Sequence, residues 1–115
     1  MNKIEAIIRP EKLNAVKDAL ADIGLPGINV SQVTGRGAQR GIEVGGPRGV
    51  AGSYVVDMLP KVKLETVVRD EDTQRAIDVI IQNARTDNIG DGKIFITPVA
   101  NAIRIRTGEE GEGAL

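Results

Sequence analysis

The chain has 115 residues and a mass of 12.2 kDa, with 15 Lys plus Arg against 16 Asp plus Glu for a net charge of -1. That length makes one domain, and so balanced a charge favours neither nucleic acid nor an anionic membrane as partner. It contains no Cys, His or Trp, which removes disulfides, soft-metal sites, a Cys nucleophile and a His base, so no enzyme chemistry is expected.

Hydrophobic residues make up 41% with one Tyr and one Phe, an aliphatic core that is thin for a lone subunit and that oligomerisation would relieve. Ile4, Ala6 and Ile8 alternate with Glu5, Ile7 and Arg9, the period-two pattern of a strand with one dry face. Charges inside this stretch fit neither a signal-peptide core nor a membrane span of about 20 residues, so a cytoplasmic location is expected. Pro10 suits a first helical position, and Leu13, Val16, Leu20 and Ile23 recur at helical spacing until Gly24 stops the helix. A second strand is expected over 28–34. Residues 35–53 then hold seven glycines and a proline, a loop too long for a plain connection in a compact domain and therefore read as functional.

Tyr54 to Arg69 reads as extended with a break at Pro60, and Lys61, Lys63 and Glu65 point opposite to Val62, Leu64 and Thr66. Asp70 or Asp72 is expected to cap a helix whose apolar face is Ala76, Ile77, Ile80, Ile81 and Ala84. A last core strand is expected over 93–97 and a short extended segment over 103–107, followed by an acidic, glycine-rich tail, 108–115, expected to be mobile. Laying the segment from Ile4 on the one from Leu64 pairs Glu5 with Glu65, Arg9 with Arg69, Ile8 with Val68, Val16 with Ala76 and Leu20 with Ile80. Such an echo predicts an α+β, ferredoxin-like double βαβ sandwich, with two helices on one face of a four-stranded antiparallel sheet. The other face, carrying Ile7 and Val67 beside Glu5, Lys63 and Glu65, is better covered by a symmetric partner than by solvent.

Three groups of residues carry potential chemistry. Gly90, Asp91, Gly92 and Lys93 lie between the second helix and the last strand, where glycines let backbone N–H groups approach an anion and lysine adds a point charge; a plain turn into a strand is the alternative. Arg104 and Arg106 lie two apart, so an extended segment would send both guanidinium groups to one side, as a phosphate clamp needs; a solvated edge is the alternative. Gln39 and Arg40 stand among glycines at the start of the long loop, with Arg9 and Lys61 flanking it and Tyr54, the only tyrosine, at its far edge.

These residues sit in blocks, IEAIIRPEKL (4–13), GRGAQRG (35–41), YVVDMLPKVKLETV (54–67), IGDGKIF (89–95) and AIRIRTGE (102–109), that closely resemble the PII nitrogen regulatory proteins of the GlnB and GlnK branches over nearly the whole chain. The resemblance implies a compact homotrimer, each subunit a single PII domain over 1–115, binding ATP or ADP in the clefts between subunits, with a projecting T-loop at about 37–55 and a phosphate loop at about 86–93. It assigns the phosphates to Gly90, Asp91, Gly92 and Lys93 with Arg104, Ile105 and Arg106, the base and ribose to Ile7, Gly27, Ile28, Asn29, Glu65 and Val67, and the closing of the cleft to Gly37, Ala38 and Gln39. It implies 2-oxoglutarate as effector, bound with Mg²⁺ and ATP, with Gln39 as metal ligand and Arg9 and Lys61 near its carboxylates. Because a lone Gln is a poor ligand, oxygens of ATP and the keto acid would have to complete the octahedral shell that Mg²⁺ demands. The implied partners are an ammonium transporter or an enzyme of nitrogen metabolism such as glutamine synthetase, engaged through the T-loop, with Arg48 the nearest candidate for a channel-plugging arginine. No nucleic acid is expected, and a membrane only through a channel partner.

The chain departs from the family pattern in several places. GGPRGVAGSY (45–54) replaces a loop core usually close to YRGAEY, so the partner is the least transferable implication. Tyr54 matches the tyrosine that some members uridylylate, although its neighbours Gly52 and Ser53 are unusual and Ser53 is an alternative acceptor. Ala38 stands where many members are basic, Asp87 and Asn88 replace a common Gly-Lys, and Asn29 replaces a common Thr. The rival reading is a divergent PII protein that senses only ATP and ADP and regulates a transporter or enzyme outside nitrogen assimilation. An RNA-binding module on this topology would need stacking aromatics that the chain lacks.

Overall fold

The computed structural model describes residues 1–36, 42–44, 54–56 and 58–115. Among the described residues the strands are β1 (Asn2–Ile8), β2 (Asn29–Gly35), β3 (Ile42–Val44), β4 (Tyr54–Val56), β5 (Leu59–Val68) and β6 (Lys93–Pro98), and the α-helices are α1 (Leu13–Asp22) and α2 (Asp70–Ala84). Four strands form one antiparallel sheet in the order β2-β5-β1-β6, while β3 and β4 pair as a separate two-stranded ribbon. This is the ferredoxin-like α+β layout that the internal echo predicts.

The alternation holds on both central strands. Ile4, Ala6 and Ile8 of β1 and Val62, Leu64, Thr66 and Val68 of β5 are buried, and the helices close over them with Val16, Leu20, Ala76, Ile80 and Ala84. Register fixes the centre of this core: Ala6 lies opposite Leu64 on one side and Ile94 on the other. The face of α2 is narrower than its sequence suggests, since Ile81 is 36% exposed. Thr66, the one buried polar side chain among the described residues, donates its hydroxyl to the Gly27 carbonyl at 2.7 Å, which satisfies it and pins the approach to β2.

Three local expectations are corrected. Pro60 does not break its strand: β5 runs through it opposite Thr34, and β1 has already ended at Ile8 opposite Val62, so the missing N–H interrupts no ladder on that side. Neither Asp70 nor Asp72 caps α2. Arg69 takes the cap position in extended conformation, Thr73 donates its hydroxyl to the Arg69 carbonyl at 3.1 Å, and Asp72 pairs with Arg75 at 3.0 Å. Asp70 accepts instead from the Met1 ammonium at 2.9 Å and from Asn2 Nδ2 at 3.1 Å, tying the first strand to the start of α2. Because Asp70 is exposed, Asp70→Ala is expected to cost under about 1 kcal/mol and to lower Tm by only a few degrees in a thermal melt.

Residues 103–107 are not extended. The chain turns over 105–107, closed by Gly108 N donating to the Arg104 carbonyl at 2.7 Å, and Ile103 bridges to Glu110. The acidic, glycine-rich tail folds back in the same way. Gly111 N donates to the Ala102 carbonyl at 2.9 Å, and Gly111–Ala114 forms a 3-10 turn. The ribbon joins β3, which lies inside the segment read as a glycine-rich loop and is too short for periodicity to reveal, to β4, which lies at the start of the stretch read as extended from Tyr54.

Candidate functional site

Residues 85–92 leave α2 and run along the end of the sheet. Asp87, Gly90 and Gly92 adopt φ of +67°, +108° and +91°, a left-handed region that turns the chain sharply and that glycine enters without steric cost. At Gly92 the need is absolute: a Cβ built there would lie 1.7 Å from the Ile7 carbonyl oxygen, so the loop rests directly on the backbone of β1.

Asp91 organises this loop. Its carboxylate accepts from Thr86 N at 2.8 Å, from the Thr86 hydroxyl, from Asp87 N at 2.9 Å and from Arg9 Nε at 3.0 Å. The Thr86 hydroxyl above all, then the Thr86 amide, the Arg9 guanidinium and the Asp87 amide, hold the carboxyl far below the usual carboxylate range against the opposing effect of burial. Arg9 also donates Nη2 to the Ile89 carbonyl at 2.9 Å, and Lys61 Nζ donates to the Gly90 carbonyl at 2.6 Å. Burial first, and the Arg9 charge second, push the Lys61 ammonium below its ordinary pKa, while Glu11 and Asp91 act the other way. Arg9 and Lys61, which the sequence placed beside the long loop, therefore converge on residues 89–91. Thr86 was not legible as part of this site; its five-residue spacing to Asp91 matches no common turn signature.

The remaining predicted residues divide. Ile7, Asn29, Glu65 and Val67 share the sheet face that carries no helix: Glu65 lies opposite both Asn29 and Glu5, and Ile7 opposite both Lys63 and Lys93. On that face Lys63 Nζ stands 3.6 Å from Glu65 Oε1. Ile28 packs instead against the core, and Gly27 holds Thr66. A groove of about 480 Å³ beside the loop is lined by Ile7, Ile80, Ala84, Asp91, Gly92 and Lys93 among others, and Gly27, Asn29, Glu65 and Val67 take no part in it.

Arg104 is not brought to the 86–92 loop. It donates Nη1 to Glu109 Oε2 at 2.9 Å and Nη2 to the Gly113 carbonyl at 3.0 Å. Ile105 and Arg106 stand exposed on the turn that follows, so the same-side clamp expected of an extended segment does not form within one chain. Gly37, Ala38, Gln39 and Arg48 lie outside the described residues, and of Tyr54 only its place in β4 is described. Among the described residues no group of three or more Asp or Glu side chains is placed to hold a metal ion, and no helix is long and apolar enough to cross a membrane.

Comparison with known proteins bears on this geometry. A family model described as nitrogen regulatory protein P-II matches residues 1–109. The nitrogen regulatory protein P-II of Cereibacter sphaeroides is 55% identical over 116 residues, covering 100% of both chains. The nitrogen regulatory protein P-II 1 of Methanothermobacter thermautotrophicus is 55% identical over 115 residues, covering 100% of this chain and 97% of its own. The P-II protein of Azospirillum brasilense is 53% identical over 116 residues, again covering 100% of both.

Proposed function

Because this chain belongs to the nitrogen regulatory protein P-II family, we propose that it is a signal-transduction regulator that binds ATP or ADP and, together with Mg²⁺ and ATP, 2-oxoglutarate, and passes their state to a nitrogen-assimilation partner. The observation that carries this reading is the 86–92 loop, a glycine-turned segment pinned by Asp91 and held by two cations, Arg9 and Lys61. Its glycines permit backbone N–H groups to approach phosphates, and Lys93 follows as a point charge. Regulation, rather than catalysis, is the family's role.

Lys61 lies near the start of β5, just after the β3–β4 ribbon, and holds the Gly90 carbonyl, so a single side chain links the exit of the long loop to the phosphate loop. A dicarboxylate arriving at Arg9 and Lys61 competes with Asp91 and the backbone carbonyls of 89 and 90 for the same donors. Binding at one place therefore alters the other, and partners select among the resulting conformations. The described side chains suit Mg²⁺ poorly by themselves, since the Asp91 carboxylate is already committed to four donors. A divalent ion here would take Gln39 as its protein ligand and would supply positive charge to the nucleotide phosphates and the keto acid.

The subunit is proposed to assemble as a homotrimer in the cytoplasm. Phe95 is 50% exposed, Ile103 62% and Ile105 100%, apolar surface that a symmetric partner would cover. An ammonium transporter or a nitrogen-metabolism enzyme is the proposed client, through the 37–55 segment.

Calorimetric titration of 2-oxoglutarate with Mg²⁺ tests the reading. Binding heat is expected with saturating ATP, not with saturating ADP, and Gln39→Ala is expected to weaken the ATP-dependent binding at least tenfold. Tight ATP and ADP binding without any 2-oxoglutarate heat would replace this reading by that of an energy-state sensor, and no nucleotide binding at all would sink both.

A further inference from the structure

The C-terminal residues form a small unit of their own around Arg104. Asn101 anchors it, its Oδ1 accepting from Gly111 N at 3.1 Å and its Nδ2 donating to Glu110 Oε1 at 3.0 Å. Within it Arg104 N donates to the Glu109 carbonyl at 2.8 Å, and the guanidinium meets the Glu109 carboxylate at 2.9 Å and the Gly113 carbonyl at 3.0 Å. A carboxylate and a backbone carbonyl thus offer Arg104 what phosphate oxygens would, namely oxygen acceptors within reach of the guanidinium fork, one of them anionic.

The tail is also fitted to the carboxylate. A Cβ at Gly113 would lie 2.6 Å from Glu109 Oε1, so a side chain at this position would turn the Glu109 carboxylate aside. Arg104 is 35% and Glu109 48% exposed, so the pair is open enough to exchange, and an exposed pair of this kind is weak. A polyphosphate carries more charge than one carboxylate and competes with it effectively.

We propose that residues 109–115 are a built-in competitor for the anion site at Arg104: Glu109 and the Gly113 carbonyl occupy the guanidinium in the ligand-free chain, and a nucleoside polyphosphate that engages Arg104 displaces them. This rests on the reading that Arg104 contacts nucleotide phosphate. The consequence is reciprocal, because a ligand that must displace the tail binds more weakly by the cost of displacement. It also makes the tail a reporter of occupancy, its released Glu109 and C-terminal backbone becoming available in the bound form only.

Three full-length variants and one exchange measurement test this. Glu109→Ala removes the competing carboxylate and Gly113→Ala pushes it aside, and each is expected to tighten ATP binding by about two- to fivefold, the scale of one exposed ion pair. Arg104→Ala is expected to weaken ATP binding by about tenfold. Adding ATP to the unaltered protein is expected to speed hydrogen exchange at the amides of Gly111 and Leu115, which donate to the carbonyls of Ala102 and Glu112. If Arg104→Ala weakens binding while Glu109→Ala and Gly113→Ala leave it unchanged and the tail amides do not respond, the competitor falls and the nucleotide site stands. If Arg104→Ala itself has no effect, the assignment of Arg104 to phosphate falls, and the competitor with it.

Discussion

Gly92→Ala is expected to lower unfolding stability by about 2–4 kcal/mol, the sum of a forced backbone shift and a residue held at positive φ. The added methyl would stand 1.7 Å from the Ile7 carbonyl oxygen, and that neighbour is backbone within the central ladder, where Ile7 lies opposite both Lys63 and Lys93. Nothing flexible is available to give way. Relief requires the loop to lift from β1, which would pull Asp91 from Arg9 and Gly90 from Lys61 at the same time. The check is the urea midpoint at fixed protein concentration, since assembly makes apparent stability depend on concentration. A midpoint within error of the unaltered protein would mean that the loop does not rest on β1 as described. Gly24, also at positive φ but with nothing within 4 Å of a Cβ, is the matched control that isolates the backbone clash from the dihedral cost.

What the sequence made legible follows from what periodicity can report. An offset of 60 residues carries Ile4 to Leu64, Ala6 to Thr66, Ile8 to Val68, Val16 to Ala76 and Leu20 to Ile80, and all ten are buried. Two copies of one strand-helix pattern facing one core leave that mark because burial repeats every two residues in a strand and every three or four in a helix. Caps and turns, which leave no such repetition, escaped. Asp70 and Asp72 satisfy the same capping preference two residues apart, but Met1 and Asn2, distant in sequence, claim Asp70, and Arg75, three residues on, claims Asp72. Arg104 and Arg106 were spaced for one side of an extended segment, yet Glu109 five residues on draws the chain into a turn that spacing alone does not specify. Arg9 and Lys61 were singled out by charge; that both converge on the 86–92 loop needed the register, because β1 and β5 are adjacent strands whose ends open on the same side.

Asp91→Asn is expected to weaken ATP binding by roughly tenfold to a hundredfold, the penalty that a displacement on the order of 1 Å imposes on a positioned anion site. The side chain need not touch phosphate for this to happen. It gathers Thr86 N, the Thr86 hydroxyl, Asp87 N and Arg9 Nε on one carboxylate, and an amide in its place turns an N–H₂ toward donors while removing the charge that faces Arg9. A merely structural role would move stability alone, so ATP affinity is the discriminating readout, and the acid limb of stability tests separately whether the four contacts depend on the ionised carboxylate. The folded-state pKa of Asp91 is depressed, and its stabilising contribution is therefore complete above the ordinary carboxylate value of about 3.9 and is lost as pH falls from there toward the folded value. The stability difference between the unaltered protein and Asp91→Asn should accordingly be constant above about pH 5 and shrink below about pH 4. A difference that stays constant through pH 3, together with unchanged ATP affinity, would show that the four donors do not depend on the ionised carboxylate and that the loop takes its shape from Gly90 and Gly92 alone.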